Sequence, residues 1–236
     1  MKQAQAVLDQ MNSLPPVSGL TLTGDYALAA IPARQAIEAG DWSKAANLTV
    51  RSDGVPWARA ITWFAIGTAS AQLNDAARAA QSEQTLAALR DETARMGDKY
   101  WSNQIEVQRR EVYACLQEQA GLNSGAIMTM RSAADLEESM DKHAVTPGAI
   151  VPAREMLARM LVRAKRPQEA AIEYQADLKI APNRFNALYG AARAASAAGN
   201  QAQAQQYFRK LTEIAVGEER PEVSEARKAL ATTAMK

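Results

Sequence analysis

The sequence predicts an all-α fold in which pairs of helices pack one after another along the chain. Alanine is the commonest residue, glycine and proline fall mainly between long segments, and alternating β-branched runs are nearly missing, which is a helical pattern. The stretch Ala170-x-x-x-Tyr174 recurs 34 residues later as Ala204-x-x-x-Phe208. A fixed period of this length is typical of arrays of helix pairs. With 236 residues, 47% of them hydrophobic, the chain is long enough to bury a substantial core.

The repeated unit follows from the packing of two helices. A small residue lets the second helix approach the first closely, an aromatic residue four positions later fills the next gap, and a proline such as Pro182 ends the helix. The segment Trp63-x-x-Ile66-Gly67 stands in the same relation to Ala79 as Leu188 does to Ala204. The expected small residues of the second helices are Ala4, Ala45, Ala79, Ala126, Ala170 and Ala204.

Turn residues separate the two helices of a pair at Gly40-Asp41, Asn74-Asp75 and Gly199-Asn200. A weaker middle unit is predicted from the packing residues Tyr113, Ala114, Ala126 and Met130.

These units predict a single, irregularly spaced array over 1–236. Residues 1–16 are interpreted as the second half of a repeat. Residues 221–234, which begin with Pro221, are interpreted as the capping helix that solenoids need. Because a lone second helix exposes the face that its partner covers, we expect the natural polypeptide to continue upstream. Full repeats are expected at 25–50, 57–93, 100–140, 151–182 and 185–216.

The residues quoted above resemble the tetratricopeptide-repeat (TPR) family, strongly over 151–216 and well over 57–93. The resemblance implies a right-handed α-α superhelix with a concave binding groove. The segments 141–155 and 182–195 also resemble the C-terminal part of longer, uncharacterised bacterial TPR proteins. Three residues depart from the family pattern: Arg154 replaces an apolar residue, Lys165 a turn glycine and Glu83 an aromatic residue.

Catalytic chemistry finds little support in the sequence. His143 is the only histidine, it lies about thirty residues from Cys115, and no nucleophile-elbow motif is present. Metal-binding histidine pairs and phosphate-binding glycine loops are also missing. Glu137, Glu138 and Asp141 form the densest acidic group, which we interpret as solvated. We therefore expect no catalytic residues, no metal and no cofactor.

Charge and hydropathy exclude two classes of partner. The net charge of +1 is too small for a broad attraction to nucleic acid or anionic membranes. No run of 18 apolar residues occurs, so membrane insertion is not expected. The N-terminus has no signal-peptide pattern, but in a chain expected to continue upstream this leaves the compartment undetermined, with the cytoplasm as the default. The oligomeric state is not predicted.

Aromatic residues fall into two groups. Trp63, Tyr113, Tyr174 and Phe208 stand at packing positions and are expected in the core. Trp57, Tyr100, Trp101 and Tyr189 fit either the core or an exposed peptide anchor beside arginines.

The family resemblance implies that groove-facing residues bind a peptide or a helix of another protein. The residues assigned to this site are Arg159, Tyr189, Arg193, Glu155, Trp57 and Trp101. The alternative is a regulatory or substrate-docking module of a larger protein. An enzyme active by itself is the least favoured interpretation. The long loop at 141–152 either contacts a ligand or only connects offset helices.

Overall fold

Helices account for the regular secondary structure in the part of the chain that the computed structural model describes. That part comprises residues 2–13, 21–141, 143–146, 148–215 and 220–234, with side chains up to residue 232. The all-α prediction is confirmed, since no strand occurs in these ranges. Residues 14–16 and 216, which belong to predicted repeats, lie outside them. In chain order, the helices are α1 (Lys2–Asn12), α2 (Leu22–Ala39), α3 (Trp42–Ala46), α4 (Pro56–Gln72), α5 (Ala76–Arg95), α6 (Lys99–Gln119), α7 (Asn123–Glu138), α8 (Ala153–Arg163), α9 (Pro167–Ile180), α10 (Phe185–Ala197), α11 (Gln201–Ile214) and α12 (Pro221–Ala234).

The chain divides into two compact units, Met1–Ala153 and Arg154–Lys236. In the first unit, α4 to α7 pack in series, each helix against the next, and α4 also packs against α2 and α6. The short helix α3 packs against α2 and α4, and α1 packs against α2. The first helices of successive pairs therefore contact one another, as they do in stacked helical repeats.

Within the second unit, helices also pack in the order of the sequence. Helices α9, α10, α11 and α12 each contact the next, and an ion pair of 2.5 Å between Arg154 and Glu173 joins α8 to α9. The apolar residues Val223 and Ala226 of α12 are buried. The division between the units falls at the beginning of α8, within the predicted repeat 151–182.

One turn geometry joins the two helices of five pairs. In each turn one residue has a positive φ, and the backbone N–H of the next residue donates to a carbonyl in the last turn of the first helix at 2.8 to 2.9 Å. This is a common way to end a helix, and glycine and asparagine adopt its left-handed conformation most easily. The five residues with positive φ are Gly40, Asn74, Gly121, Lys165 and Gly199.

The small residues expected between paired helices are buried in five of six cases. Ala45, Ala79, Ala126, Ala170 and Ala204 are at most 2% exposed. Ala4 is exposed, so that prediction is wrong. Helix α1 packs against α2, and its buried residue is Leu8, which is 4% exposed.

Gly67 shows why the repeat requires a residue without a side chain. A Cβ atom at this position would lie 2.8 Å from Ser82 Cβ on α5 and 2.9 Å from Val112 Cγ1 on α6. Both contacts are too short for carbon atoms. Gly67 therefore lets α4, α5 and α6 meet closely.

The aromatic core is predicted correctly only in part. Tyr174 and Phe208 are buried, at 3% and 5% exposure. Tyr113 is 44% exposed, which contradicts the prediction, because its neighbours Val112 and Ala114 take the buried positions on the helix. Trp63 is only half-buried, and Phe64 next to it is completely buried.

Candidate functional site

Glu155 and Arg159 belong to an ionic cluster in the second unit. Glu155 on α8 is completely buried. Its Oε2 accepts a hydrogen bond from Arg184 Nε at 2.7 Å, and its Oε1 accepts one from Arg159 one helical turn later. Burial alone would raise the pKa of Glu155, but the charges and hydrogen bonds of Arg159 and Arg184 together lower it. Glu155 thus positions two arginines and is not itself exposed to a ligand.

Asp177 lies close to this cluster and lacks a donor for one of its oxygens. It is on α9 and only 2% exposed, and its buried Oδ2 has no hydrogen-bond partner among the described residues. Burial, and next the charge of Glu155, raise the pKa of Asp177 to about 7. This carboxyl group therefore changes its charge near neutral pH. No pattern in the sequence indicates this shift, because the pKa of a buried group depends on neighbours that are distant in the chain.

Tyr174 fills the space between α9 and α10 in the same unit. Burial raises its pKa to about 12. A side chain at Gly190 would overlap its phenol ring. Arg159 on α8 acts electrostatically on Tyr174, and Gly190 of α10, next to Tyr189, lies against the Tyr174 ring.

Tyr189 and Arg193 form an exposed group with Glu225 of α12. Tyr189 Oη donates to Glu225 Oε2 at 2.5 Å, and Arg193 Nε lies 3.8 Å from Glu225 Oε1. The guanidinium of Arg193 lies 5.7 Å from the centre of the Tyr189 ring. The side chains of Arg193 and Glu225 are 60% and 50% exposed. Partial burial, and next the hydrogen bond to Glu225, raise the pKa of Tyr189. These residues can reach a ligand in solution.

Trp57 and Trp101 stack on each other inside the first unit. Their ring centres are 4.4 Å apart with an angle of 14° between the planes, and they are 8% and 6% exposed. Tyr26 on α2 and Tyr100 on α6 lie at 6.3 and 5.2 Å from Trp101. The stack therefore joins the first helices of three successive pairs, α2, α4 and α6. Both tryptophans were assigned to a binding surface from sequence, and in this conformation they are buried.

The segment that follows α7 lies against these aromatic residues. The ring of His143 is 5.0 Å from Tyr100 and 5.6 Å from Trp101, and its Nδ1 accepts hydrogen bonds from the N–H groups of Val145 and Thr146 at 3.2 Å each. Farther along, Tyr26 Oη donates to the carbonyl of Gly148 at 2.6 Å. We call residues 143–146 and 148–149 the strap.

Arg34 on α2 fixes the end of the strap. One nitrogen, Nη2, donates to the carbonyls of Gly148 at 3.0 Å and Ala149 at 2.6 Å. The contacts at this end are made by backbone atoms of the strap, so they place little restriction on its side chains.

A groove that the sequence did not predict lies between α1, α2 and α3. Its volume is about 690 Å³, and Leu8, Leu28 and Leu48 contribute apolar surface. Arg51 at its edge pairs with Asp25 at 3.2 Å and with Asp53 at 3.0 Å. The positive charge of Arg51 is thus already balanced by the chain's own carboxylates.

The acidic group predicted to be solvated is only partly so. Glu137 is half-buried, and its Oε2 accepts a hydrogen bond from the backbone N–H of Ala153 at 2.9 Å. Glu111, on the neighbouring helix α6, is 1% exposed, and burial, with the charge of Glu137 second, raises its pKa well above the usual range. This electrostatic interaction was not predicted from the sequence, because Glu111 and Glu137 come from different helices.

Metal binding and membrane insertion find no support within the described ranges. No group of three or more histidine, cysteine, aspartate or glutamate side chains there is arranged to hold a metal ion. None of the helices that the structure describes combines the length and the apolar character needed to cross a membrane.

Comparison with known proteins adds no relative. Neither a model of a known protein family nor a curated protein matches this sequence. The likeness to tetratricopeptide repeats thus stays a prediction from the residues quoted above.

Proposed function

We propose that the chain is a non-catalytic scaffold of stacked helix pairs, a right-handed superhelix of the tetratricopeptide kind, that binds a peptide segment of another protein. One observation supports this more than any other. The same turn, with one residue of positive φ, joins five successive helix pairs and is followed in three of them by a capping side chain, that of Asp41, Asp75 or Asn200. A sequence that repeats one supersecondary unit builds a continuous surface rather than a single deep pocket.

The exposed group on α10 and α12 is the proposed contact surface. Tyr189 offers a large, rigid ring beside the guanidinium of Arg193, and tyrosine and arginine dominate the binding energy of many interfaces. Glu225 holds both side chains, so a carboxylate of a partner peptide would take over its place. Arg159, whose side chain is 24% exposed, is proposed to extend this surface along α8.

The proposal is tested with peptides from a displayed library that are selected for binding to the purified chain. Binding constants of the selected peptides are measured by fluorescence anisotropy for the wild type and for Tyr189→Ala, Arg193→Ala and Arg159→Ala. We expect each replacement to weaken binding by about tenfold or more. Arg209→Ala, on the exposed side of α11, is the matched control and should leave binding unchanged.

Melting curves accompany the binding data, because Arg159→Ala also removes a partner of the buried Glu155. Selected peptides that bind all three variants as tightly as the wild type would rule out this surface. A selection that yields no binding peptide at all would count against the function itself.

A further inference from the structure

The strap occupies a surface formed by the first helices of three pairs. His143 lies on Tyr100 and Trp101 of α6, and Trp101 stacks on Trp57 of α4. The carbonyls of Gly148 and Ala149 are bound by Tyr26 and Arg34 of α2. In the proposed superhelix the first helices line the binding surface, so the chain places its own segment where a ligand peptide would lie.

The contacts between strap and helices are those of peptide recognition. At one end the helices bind main-chain carbonyls, which every peptide possesses, and at the other end a ring packs on aromatic side chains. Val145 in the middle of the strap is 58% exposed, so its side chain contributes little to the contact. Such a pattern accepts an extended peptide of varied sequence.

The strap leaves buried donors of this surface without partners. Trp101 Nε1 and Arg34 Nε are both inaccessible to solvent and have no hydrogen-bond acceptor among the described residues. An unpaired buried donor is unfavourable, and an acceptor placed opposite it removes the penalty. An extended peptide with carbonyl groups at these two places would therefore bind this surface better than the strap does.

We propose that the strap is a built-in occupant of a second peptide-binding surface, formed by Tyr26, Arg34, Trp57, Tyr100 and Trp101, and that an extended peptide of a partner protein displaces it. The strap is present at the high local concentration of a tethered segment. It therefore blocks the binding of weak ligands. It is displaced by ligands that also accept hydrogen bonds from Trp101 Nε1 and Arg34 Nε. This inference rests on the proposed peptide-binding function, but it concerns residues of the other unit.

The test uses a fluorescent synthetic peptide with the sequence of residues 141–151, added to the full chain. In His143→Ala the strap loses the acceptor for Val145 and Thr146 and its ring contact, while the helices are unchanged. Apparent affinity is proportional to the fraction of time that a site is uncovered, so we expect the peptide to bind this variant about tenfold more tightly than the wild type. Val145→Ala, with its exposed side chain, is the matched control and should bind like the wild type.

A second replacement locates the binding. Adding Arg34→Gln to His143→Ala should weaken peptide binding by about tenfold, because the main-chain carbonyls lose their donor. Equal affinity for the wild type, His143→Ala and Val145→Ala would overturn the proposal, and so would an affinity of the double variant equal to that of His143→Ala.

Hydrogen exchange of the wild type gives a readout that does not depend on the folding of variants. At saturating peptide, the amides of Val145 and Thr146 should exchange about tenfold faster, since the displaced strap loses its support on Tyr100 and Trp101 and its internal hydrogen bonds to His143 Nδ1 open more often. Unchanged protection with peptide bound would place the peptide elsewhere and refute the displacement. Arg193→Ala should not alter any of these results, so failure here is distinguishable from failure of the surface on α10 and α12.

Discussion

Replacement of Asp177 by asparagine should stabilise the second unit, and more so at higher pH. The carboxyl group is buried and one of its oxygens lacks a donor among the described residues, so folding favours its neutral form. The pKa rises from 3.8 to about 7 on folding. The stability that this group contributes is fully present below pH 3.8 and is lost as pH rises through about 7, because the folded state then has to release a proton that it binds more tightly than the unfolded chain does.

The size of the effect follows from the shift in pKa. At roughly 1.4 kcal/mol per unit, a shift from 3.8 to about 7 amounts to about 4 kcal/mol in the free energy of unfolding. Part of this stabilisation is already lost at pH 5, where the Asp177 carboxyl group is ionised in the unfolded chain. About 2 to 3 kcal/mol remains to be lost between pH 5 and pH 8. Asparagine has nearly the same shape and does not titrate. The stabilisation by Asp177→Asn should therefore grow by that amount over this interval.

Urea unfolding of both proteins, followed by circular dichroism at pH 5, 6, 7 and 8, measures this difference. Circular dichroism is needed because all four tryptophans, Trp42, Trp57, Trp63 and Trp101, lie in the first unit. Asp91→Asn is the matched control, since the side chain of Asp91 is 60% exposed and its removal should have a small effect that does not change across this range. A difference between wild type and Asp177→Asn that is the same at pH 5 and pH 8 would refute the reasoning.

Three further predictions concern stability and are checked by melting temperature or urea midpoint. Lys165→Gly should stabilise the chain by about 1 kcal/mol, because φ is 58° there and a side chain is unfavourable in that region. Gly199→Ala, in the equivalent turn, should destabilise the chain. Effects of the same sign in the two variants would contradict the explanation. Gly67→Ala should destabilise by about 1 to 3 kcal/mol because its Cβ meets Ser82 and Val112, whereas Gly125→Ala, which would meet only the flexible Gln117, should not. Glu155→Gln should lower stability by about 3 to 5 kcal/mol, since two partly buried arginines lose their counter-charge, and an unchanged midpoint would show that the cluster is not a buried ion pair in solution.

The helices and their turns were predictable because their causes lie within a few residues. Asp41, Asp75 and Asn200 follow a residue suited to positive φ and cap the next helix, and all three turns are visible in the sequence. Buried alanines recurring with the repeat were equally visible. Lys165 shows the limit of such signals, because the turn forms with a lysine where glycine was expected.

The candidate site was less predictable, because exposure depends on what packs over a residue from elsewhere in the chain. Arg193 is exposed and Tyr189 half-buried on α10, but their arrangement depends on Glu225, which lies far along the chain on α12. Trp57 and Trp101 fit either a core or an anchor, and the contact between α4 and α6 buried both. The tertiary structure also explains Glu83, which stands where the family pattern has an aromatic residue. Glu83 forms an ion pair with Arg109 of α6.

The sequence by itself determined the all-α class and the approximate extent of the helices, because helix formation, capping and termination depend on neighbours within one or two turns. The tertiary structure alone decided which side chains are covered. It placed the strap on Tyr100 and Trp101, buried Glu155 between two arginines and left Asp177 with an oxygen that lacks a donor among the described residues. The burial of a side chain and the charges around it depend on segments that are distant in the chain. No local pattern of residues therefore reveals them.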